Sequence, residues 1–360
     1  MTVHVSGVQV ISQVLANIIR PMTLQGANSS TYLAMDPQLN AEVVLKEVLY
    51  GTPQDLQKAM GEVQFLHAVR HEHVARTQYA ADDGINVIRV VMPFYQRGSL
   101  HERMASGPLN VNDALRYTHH VLLALGHVHA LGIIHADVKP SNVLIDDNDH
   151  AVLTDFGQSV MVRPTDQLAD KPPMYMKAYP PEAVNSTSLS RQADVYQAGL
   201  MLYRLLNGHK LWQQQVDYAV KHQYAGLQIA SGRWPDRRLW LPHVPDALRR
   251  IVRKAMHHDP QRRYVTVDEF ANALSAVQIP ARIGACQPFE KSDGWEWKHP
   301  NNVQEYDTVL RCDQKGEWNI ACKRTNTQTQ HSDTLRQFSH TKLRDQAGAF
   351  VKLDARFKQA

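Results

Sequence analysis

The sequence predicts an α+β fold, in which a strand-rich N-terminal part is followed by a helical part and by a small strand-containing extension. Three observations predict this layout. Runs typical of strands are concentrated before residue 94, and helical spacing of apolar residues dominates up to residue 277. Pro280 and Gly284 then mark a boundary, after which the composition changes.

The strand-rich part contains three strand-like runs and one helical run. The runs at residues 31–34 and 42–49 flank a turn-forming stretch at 36–40, and another strand-like run covers 86–93. Between them, apolar residues at helical spacing predict a helix over residues 54–69.

The helical part begins with a long predicted helix at residues 114–131, whose leucine and valine stripe faces a core. Two short strands at 143–145 and 151–154 enclose a turn rich in Asp. Helical patterns return over three further stretches, at 193–206, 247–256 and 267–277.

The extension contains a predicted hairpin and several tryptophans. Residues 308–325 alternate like two strands joined at Asp313. Trp295, Trp297 and Trp318 stand among polar residues, so they either pack on the helical part or bind a partner; we favour packing.

The overall composition is that of an ordinary globular protein. Of 360 residues, 43% are hydrophobic and 21% are charged, which argues against disorder, collagen or a coiled coil. A net charge of +4 is too small over this length to indicate nucleic-acid binding. No run approaches the roughly 18 apolar residues of a membrane helix, and three cysteines suit a reducing compartment. We therefore expect a cytoplasmic protein without a membrane anchor.

The residues with chemical potential form one ordered series of motifs. Lys46 lies in a strand-like run, and Glu62 lies in a predicted helix. The central motif is His135-Ala-Asp137-Val-Lys139-Pro-Ser-Asn142, and Asp155-Phe156-Gly157 begins thirteen residues after Asn142. The series ends with Pro180-Pro-Glu182, Asp194-Val-Tyr-Gln-Ala-Gly199 and Asp259-Pro-Gln-Arg-Arg263.

In this order and spacing, the motifs resemble those of eukaryotic-type (Hanks-type) Ser/Thr protein kinases, and the stretch from Tyr32 to Asn40 looks most like bacterial members. The resemblance implies a bilobal protein-kinase-like fold over residues 15–277. Its N-lobe would cover about residues 15–92 and its C-lobe about 96–277, and residues 281–360 would form an extension of unknown function.

The resemblance also implies an activity. The chain would be a non-specific Ser/Thr protein kinase that binds ATP with Mg²⁺ (or Mn²⁺) between its lobes. It would transfer the γ-phosphoryl group to hydroxyls of protein substrates and also to itself.

Each motif residue then has an implied role. Asp137 would orient the substrate hydroxyl, and Lys139 would neutralise the γ-phosphate. Asn142 and Asp155 would hold the metal, because amide and carboxylate oxygens suit a hard cation. The residues expected to bind ATP are Gly26, Thr31, Val44, Lys46, Glu62, Met92, Pro93, Tyr95 and Leu144. Those expected to support the site are His135, Phe156, Gly157, Glu182, Asp194 and Arg263.

Two departures from the family pattern concern the phosphate-binding loop and the catalytic loop. Only Gly26 remains of the three usual glycines of the phosphate-binding loop, which predicts weakened ATP affinity. Ala136 replaces the arginine that usually precedes the catalytic aspartate, so the catalytic loop is of the non-RD type. We hypothesise that activity does not require phosphorylation of the loop that carries Ser159 and Thr165.

Two alternatives to an active protein kinase stay open. One is a catalytically weak or dead scaffold of the same fold that binds nucleotide, and the other is a small-molecule kinase. Lys139 disfavours the small-molecule kinase, because such enzymes typically lack a lysine there. We expect no nucleic-acid or membrane partner, and the oligomeric state is not predicted.

Overall fold

The computed structural model describes residues 14–22, 29–173, 178–221, 225–299, 304–336 and 339–359. It divides the chain into two compact units, Met1–Gln96 and Arg97–Ala360. The residues of the predicted extension belong to the second unit.

The first unit is built on a five-stranded antiparallel sheet with the strand order β1-β2-β3-β5-β4. Its elements are β1 (Asn17–Pro21), β2 (Ser29–Asp36), β3 (Ala41–Leu49), α1 (Pro53–Ala68), β4 (Tyr79–Asp82) and β5 (Val87–Pro93). One face of the sheet buries the side chains of Ala34, Val43, Leu45 and Val91.

Local side chains fix the turns of this unit. The Asp36 carboxylate accepts hydrogen bonds from the backbone N–H groups of Gln38 (2.8 Å) and Leu39 (3.0 Å), which closes the turn between β2 and β3. Thr52 and Asp55 cap α1 reciprocally, since each accepts a backbone N–H of the other at 3.1–3.2 Å.

The second unit is mainly helical. Its helices are α2 (Leu100–Arg103), α3 (Val111–Ala130), α4 (Gln192–Lys221), α5 (Ala225–Ala230), α6 (Asp246–Ala255), α7 (Val267–Ser275), α8 (Ala281–Gly284) and α9 (Gln346–Gln359). Helix α3 packs against α4 and α7, and it buries Tyr117, Val121, Leu125 and Val128 completely. The centre of this unit is therefore a helix–helix core.

Short strand pairs lie between α3 and α4. These strands are β6 (Ile133–Ile134), β7 (Val143–Ile145), β8 (Ala151–Leu153), β9 (Val160–Met161), β10 (Ala169–Asp170) and β11 (Ser188–Leu189). They form three antiparallel pairs, β6 with β9, β7 with β8 and β10 with β11.

The extension forms an antiparallel sheet that α9 covers. Its strands are β12 (Gln287–Lys291), β13 (Gly294–His299), β14 (Gln304–Cys312), β15 (Trp318–Asn326), β16 (Ser332–Thr334) and β17 (His340–Leu343). The order is β12-β13-β14-β15-β16, and β17 also pairs with β15. The predicted hairpin corresponds to β14 and β15.

The tryptophans of the extension pack inward. Trp295 and Trp297 are both 0% exposed, and they share a hydrophobic cluster with Leu211, Leu241 and Leu353. Of the two alternatives, packing or partner binding, the structure therefore shows that these tryptophans pack on the helical part.

Polar contacts join the extension to the helical part as well. The Trp297 Nε1–H donates to His243 Nδ1 at 3.0 Å, and the Lys210 ammonium lies 4.7 Å from the centre of the Trp295 ring. The backbone N–H of Lys210 donates to the Glu290 carboxylate at 3.0 and 3.1 Å.

Helix α4 breaks at Gly208, which has φ 75° and ψ −177°. A Cβ atom at this position would lie 2.8 Å from Pro108 Cγ and 2.0 Å from Glu290 Oε1, and together with the left-handed φ these contacts favour glycine. The Glu290 carboxylate accepts the Lys210 N–H just after the break, and the helix resumes there.

Over the described part of the chain, no helix is long and apolar enough to cross a membrane. Within the same residues, no disulfide joins Cys286, Cys312 or Cys322.

Candidate active site

In the loop after β6, two of the predicted residues, Lys139 and Asn142, contact the carboxylate of a third, Asp137. Asp137 is 6% exposed, and its Oδ2 accepts hydrogen bonds from Lys139 Nζ at 2.7 Å and from Asn142 Nδ2 at 2.8 Å. Asn142 Nδ2 also donates to the Asp137 carbonyl at 2.9 Å. A charged hydrogen bond is stronger and shorter than a neutral one, so these contacts fix the direction of the carboxylate.

Asp194 at the start of α4 holds the backbone of this loop. It is fully buried, and it accepts hydrogen bonds from the N–H groups of His135 (2.9 Å) and Ala136 (2.8 Å) and pairs with His129 Nε2 (2.7 Å). Burial alone would raise the pKa of Asp194, but the interactions with His129 and His135 outweigh burial and hold the pKa below its usual value.

The backbone that Asp194 holds is strained. Ala136 has φ +63°, a left-handed conformation that a residue with a Cβ adopts at a cost of about 1–2 kcal/mol. Such strain persists where the surrounding contacts over-determine it. The two hydrogen bonds to Asp194 provide that constraint directly before Asp137.

His135 is a neutral packing residue beneath the loop. Its ring is 0% exposed and lies edge-on to Phe156, with the ring centroids 4.6 Å apart. Burial lowers the pKa of His135. The backbone N–H of Asp137 approaches Nδ1 (3.3 Å), and Nε2 lies 3.2 Å from the Thr154 carbonyl, which suits a ring with its proton on Nε2.

The hairpin of β7 and β8 places Asn142 beside the residues that lead to Asp155. Asn142 directly precedes β7, and the N–H of Thr154, just after β8, donates to the Asn142 carbonyl at 2.9 Å. Asp155 is exposed and has φ +62°, and Gly157 is half-buried. An amide oxygen and a carboxylate are hard donors, so these two residues fit a magnesium ion.

In the first unit, four predicted ATP-binding residues lie on one face of the sheet. In the register of β2, β3 and β5, Thr31 lies opposite Lys46, and Val44 lies opposite Met92. Directly paired residues and those two apart along a strand share a face. This face is opposite to the one that buries Val43 and the rest of its cluster.

Comparison with known proteins identifies the family of this chain. A family model described as "Protein kinase domain" matches residues 24–274, which is more than half of the chain.

The chain belongs to the protein kinase family.

Individual relatives agree with that assignment. The kinase domain is 28% identical over 251 residues to the serine/threonine-protein kinase PrkC of Bacillus subtilis (strain 168), an alignment that covers 68% of this chain and 38% of the relative. It is 28% identical over 281 residues to the serine/threonine-protein kinase pkn3 of Myxococcus xanthus, with 72% and 49% covered. The chain thus spans less than half the length of either relative.

A buried ion pair joins Arg263 to Glu182, which lies in the short helical turn Pro181–Val184. Arg263 donates to Glu182 through Nη1 (2.8 Å) and Nη2 (2.5 Å), and the Arg263 side chain is fully buried. Its guanidinium also donates to the carbonyls of His257 and Gln192 and lies 4.9 Å from the Tyr196 ring centre. Every face of this cation is therefore compensated.

Several expected kinase residues are only partly placed. Gly26 lies outside the described residues, and so does the side chain of Glu62, although its backbone belongs to α1. The expected ion pair between Glu62 and Lys46 therefore stays a prediction. Pro93 ends β5, Tyr95 follows it, and Leu144 lies half-buried in β7 opposite Val152.

Within the described ranges, no group of three or more His, Cys, Asp and Glu side chains is arranged to hold a metal ion.

Sequence reasoning missed one residue of the kinase site. Gln197 is fully buried and binds the backbone on both sides of Asp137. The signal for it was a polar amide three residues after Asp194, inside an otherwise apolar helical run.

Proposed function

We propose that the chain transfers the γ-phosphoryl group of ATP to Ser and Thr hydroxyls of protein substrates. One observation carries this proposal beyond family membership. The buried carboxylate of Asp137 is held by Lys139 and Asn142 within a single loop, so an acid, a cation and an amide are presented together. This set of groups is what phosphoryl transfer to an alcohol requires.

In the proposed reaction, the substrate oxygen attacks the γ-phosphorus, and the bond from that phosphorus to the β-phosphate oxygen breaks to release ADP. The hydroxyl proton passes to the carboxylate of Asp137. The Lys139 ammonium neutralises negative charge on the transferred phosphoryl group. Its 2.7 Å contact with Asp137 holds the ammonium beside the carboxylate that takes the proton. Because Asp137 is nearly buried, its carboxylate offers little surface to water.

Asn142 and Asp155 would hold the metal, for which we propose Mg²⁺, with Mn²⁺ as an alternative. Held by these two residues, the metal would neutralise negative charge on the phosphate oxygens. The Nδ2 group of Asn142 donates to the carbonyl and to the carboxylate of Asp137. Its Oδ1 is therefore the side-chain atom that can coordinate a metal ion.

We also propose how the nucleotide is bound. Lys46 would bind the α- and β-phosphates, supported by Glu62, and Gly26 would approach them with its backbone. Thr31, Val44 and Leu144 would contact the adenine ring, and Met92 would line its pocket. The Pro93 carbonyl and the Tyr95 N–H would bond the adenine edge. The sharing of one sheet face by Thr31, Lys46, Val44 and Met92 supports this assignment.

We further propose where and on what the chain acts. The chain would act as a non-specific Ser/Thr kinase in the cytoplasm, on proteins rather than nucleic acids or membranes, and it would phosphorylate itself. The kinase domain would cover residues 15–277, and residues 281–360 would be an extension to it. The charge balance of +4 supports the exclusion of nucleic acid.

Incubation with labelled ATP, Mg²⁺ and a generic basic protein tests the proposal. Wild type is expected to label itself or the substrate, whereas Asp137→Asn and Lys46→Met are not. Asp147→Asn makes the same chemical change at an exposed position of the β7–β8 turn, and it should retain full labelling. Thermal stabilisation by ATP without any transfer would indicate a nucleotide-binding scaffold instead. Equal labelling by Asp137→Asn would refute the role of Asp137.

A further inference from the structure

We propose that Gln197 is a positioning residue for phosphoryl transfer, which holds the loop around Asp137 and the chain at Ala178 in one arrangement. This inference rests on the proposed function. Gln197 lies in the first turns of α4 and is 0% exposed. Its Oε1 accepts the Val138 N–H at 2.9 Å, and its Nε2 donates to the carbonyls of Ala136 (2.9 Å) and Ala178 (3.2 Å).

The three contacts use both protons of the amide. A side-chain amide offers two donors and one acceptor oxygen, and a backbone group that is buried without a partner costs about 1–3 kcal/mol. Gln197 is therefore matched to one donor and two acceptors that would otherwise need other partners. A residue without an amide cannot satisfy all three.

The position of these contacts relates them to catalysis. The Ala136 carbonyl and the Val138 N–H belong to the peptide groups on either side of Asp137. Asp194, one helical turn earlier on the same face of α4, accepts the Ala136 N–H at 2.8 Å. The strained Ala136 is thus held at its N–H by Asp194 and at its carbonyl by Gln197, and both bonds determine where Asp137 points.

The third contact reaches a different segment. Ala178 is 5% exposed and precedes Pro181–Val184, the short helical turn that contains Glu182 and its bond to Arg263. Gln197 therefore couples the Asp137 loop to a segment that is itself anchored by a buried ion pair. A shift of about 1 Å in a reacting group can reduce the rate about 100-fold, so a coupling of this kind has consequences for turnover.

A substitution series separates positioning from a purely structural role. Gln197→Met keeps the length of the side chain and removes all three hydrogen bonds. Gln215→Met is the matched control. Gln215 is a second buried glutamine of α4, 6% exposed, that bonds the Tyr203 hydroxyl and the Asp236 N–H instead of the Asp137 loop. Both variants lose buried amide contacts in the same helix.

Melting temperature, kcat, and KM for ATP and for a Ser peptide are measured for each protein well below its melting temperature. We expect Gln197→Met to lower kcat about 10- to 100-fold while KM for ATP changes less than about twofold. Gln215→Met should lower the melting temperature similarly and leave kcat within about twofold of wild type.

Gln197→Glu provides a second measurement should Gln197→Met not fold. It retains an acceptor for the Val138 N–H but places a carboxylate against two carbonyls, so a large loss of kcat is again expected. A kcat within twofold of wild type in a folded Gln197 variant, or an equal loss in Gln215→Met, overturns the positioning role alone. A wild-type chain without any transfer overturns the proposed function and this inference together.

Discussion

Replacement of Asp194 by asparagine probes the strained backbone before Asp137. Asp194→Asn is nearly isosteric, but it leaves one acceptor oxygen where the carboxylate has two. Oδ2 serves His129 and the His135 N–H, and Oδ1 serves the Ala136 N–H. If the remaining oxygen of the asparagine bonds His129 and the His135 N–H, the new NH₂ group faces the N–H of Ala136, and neither group can accept a hydrogen bond from the other.

The free energy of unfolding should fall by about 3 kcal/mol. The orphaned Ala136 N–H costs about 2 kcal/mol, and two hydrogen bonds that lose their charge cost about 1 kcal/mol each. The neutral asparagine avoids the cost of burying a charged carboxylate, which offsets about 1 kcal/mol of this loss. Because the Ala136 N–H loses its partner, we also expect Asp137 to shift and kcat to fall about 10- to 100-fold.

Urea unfolding followed by tryptophan fluorescence, with peptide phosphorylation in parallel, measures both effects. Asp217→Asn on the exposed side of α4 is the control and should change stability by less than about 0.5 kcal/mol. Since the pKa of Asp194 is lowered in the fold, its charge stabilises the protein above its ordinary pKa of 3.8, and this contribution is lost as the pH falls through the lower folded value. The gap between wild type and Asp194→Asn should therefore narrow in strong acid. A variant with wild-type stability and kcat at pH 7 would refute the reasoning.

Three further predictions concern the buried ion pair of Glu182 and Arg263, the buried His243, and the loop that carries Thr165. Glu182→Ala leaves the fully buried Arg263 without its carboxylate, and it should cost about 3–5 kcal/mol in chemical denaturation; a loss below 1 kcal/mol would contradict this. Burial lowers the pKa of His243 to about 3, so the fold loses about 1.4 kcal/mol per pH unit as the pH falls below 6.5. Between pH 6.5 and 4.5, wild type should lose about 2 kcal/mol more than His243→Gln in urea titrations, because the unfolded imidazole is only half protonated at pH 6.5; parallel losses would count against this prediction. Thr165→Ala should retain at least half of the wild-type kcat, because Ala136 offers no charge partner to a phosphate on this loop; complete loss of turnover would overturn the hypothesis that loop phosphorylation is dispensable.

The amphipathic elements could be predicted from the sequence because their signals are local. The β2–β3 hairpin, α1, β5, α3, α6 and α7 each carry a clear period and local turn or capping residues, and they form within a few residues of the expected bounds. The strands β6, β9, β10 and β11 contain two residues each, which is too few to carry a period.

Helix α4 shows where local reasoning stops. Its predicted end at Leu206 matches the break at Gly208, but the helix resumes and continues to Lys221. The acceptor for the Lys210 N–H is Glu290, eighty residues later, and no local pattern encodes that contact. Neither the strand that carries Trp295 and Trp297 nor the covering helix α9 was predicted.

The site was predictable as a set of motif residues but not as a set of contacts. The motifs selected Asp137, Lys139 and Asn142, which the structure joins through one carboxylate. The strain at Ala136 and the bridge made by Gln197 depend on φ and on long-range packing, neither of which a one-dimensional spacing contains.

The most direct test of the account uses four peptides that differ only in the acceptor residue, Ser, Thr, Tyr or Ala. Phosphopeptide and ADP are quantified together after incubation with ATP and Mg²⁺, for wild type and for Asp137→Asn. The account predicts that Ser and Thr peptides gain one phosphate per ADP released, that the Tyr and Ala peptides gain none, and that Asp137→Asn is slower by about 100-fold or more. Transfer at the wild-type rate by Asp137→Asn would contradict it, and so would ADP release without a phosphopeptide in excess of the phosphate that the enzyme places on itself.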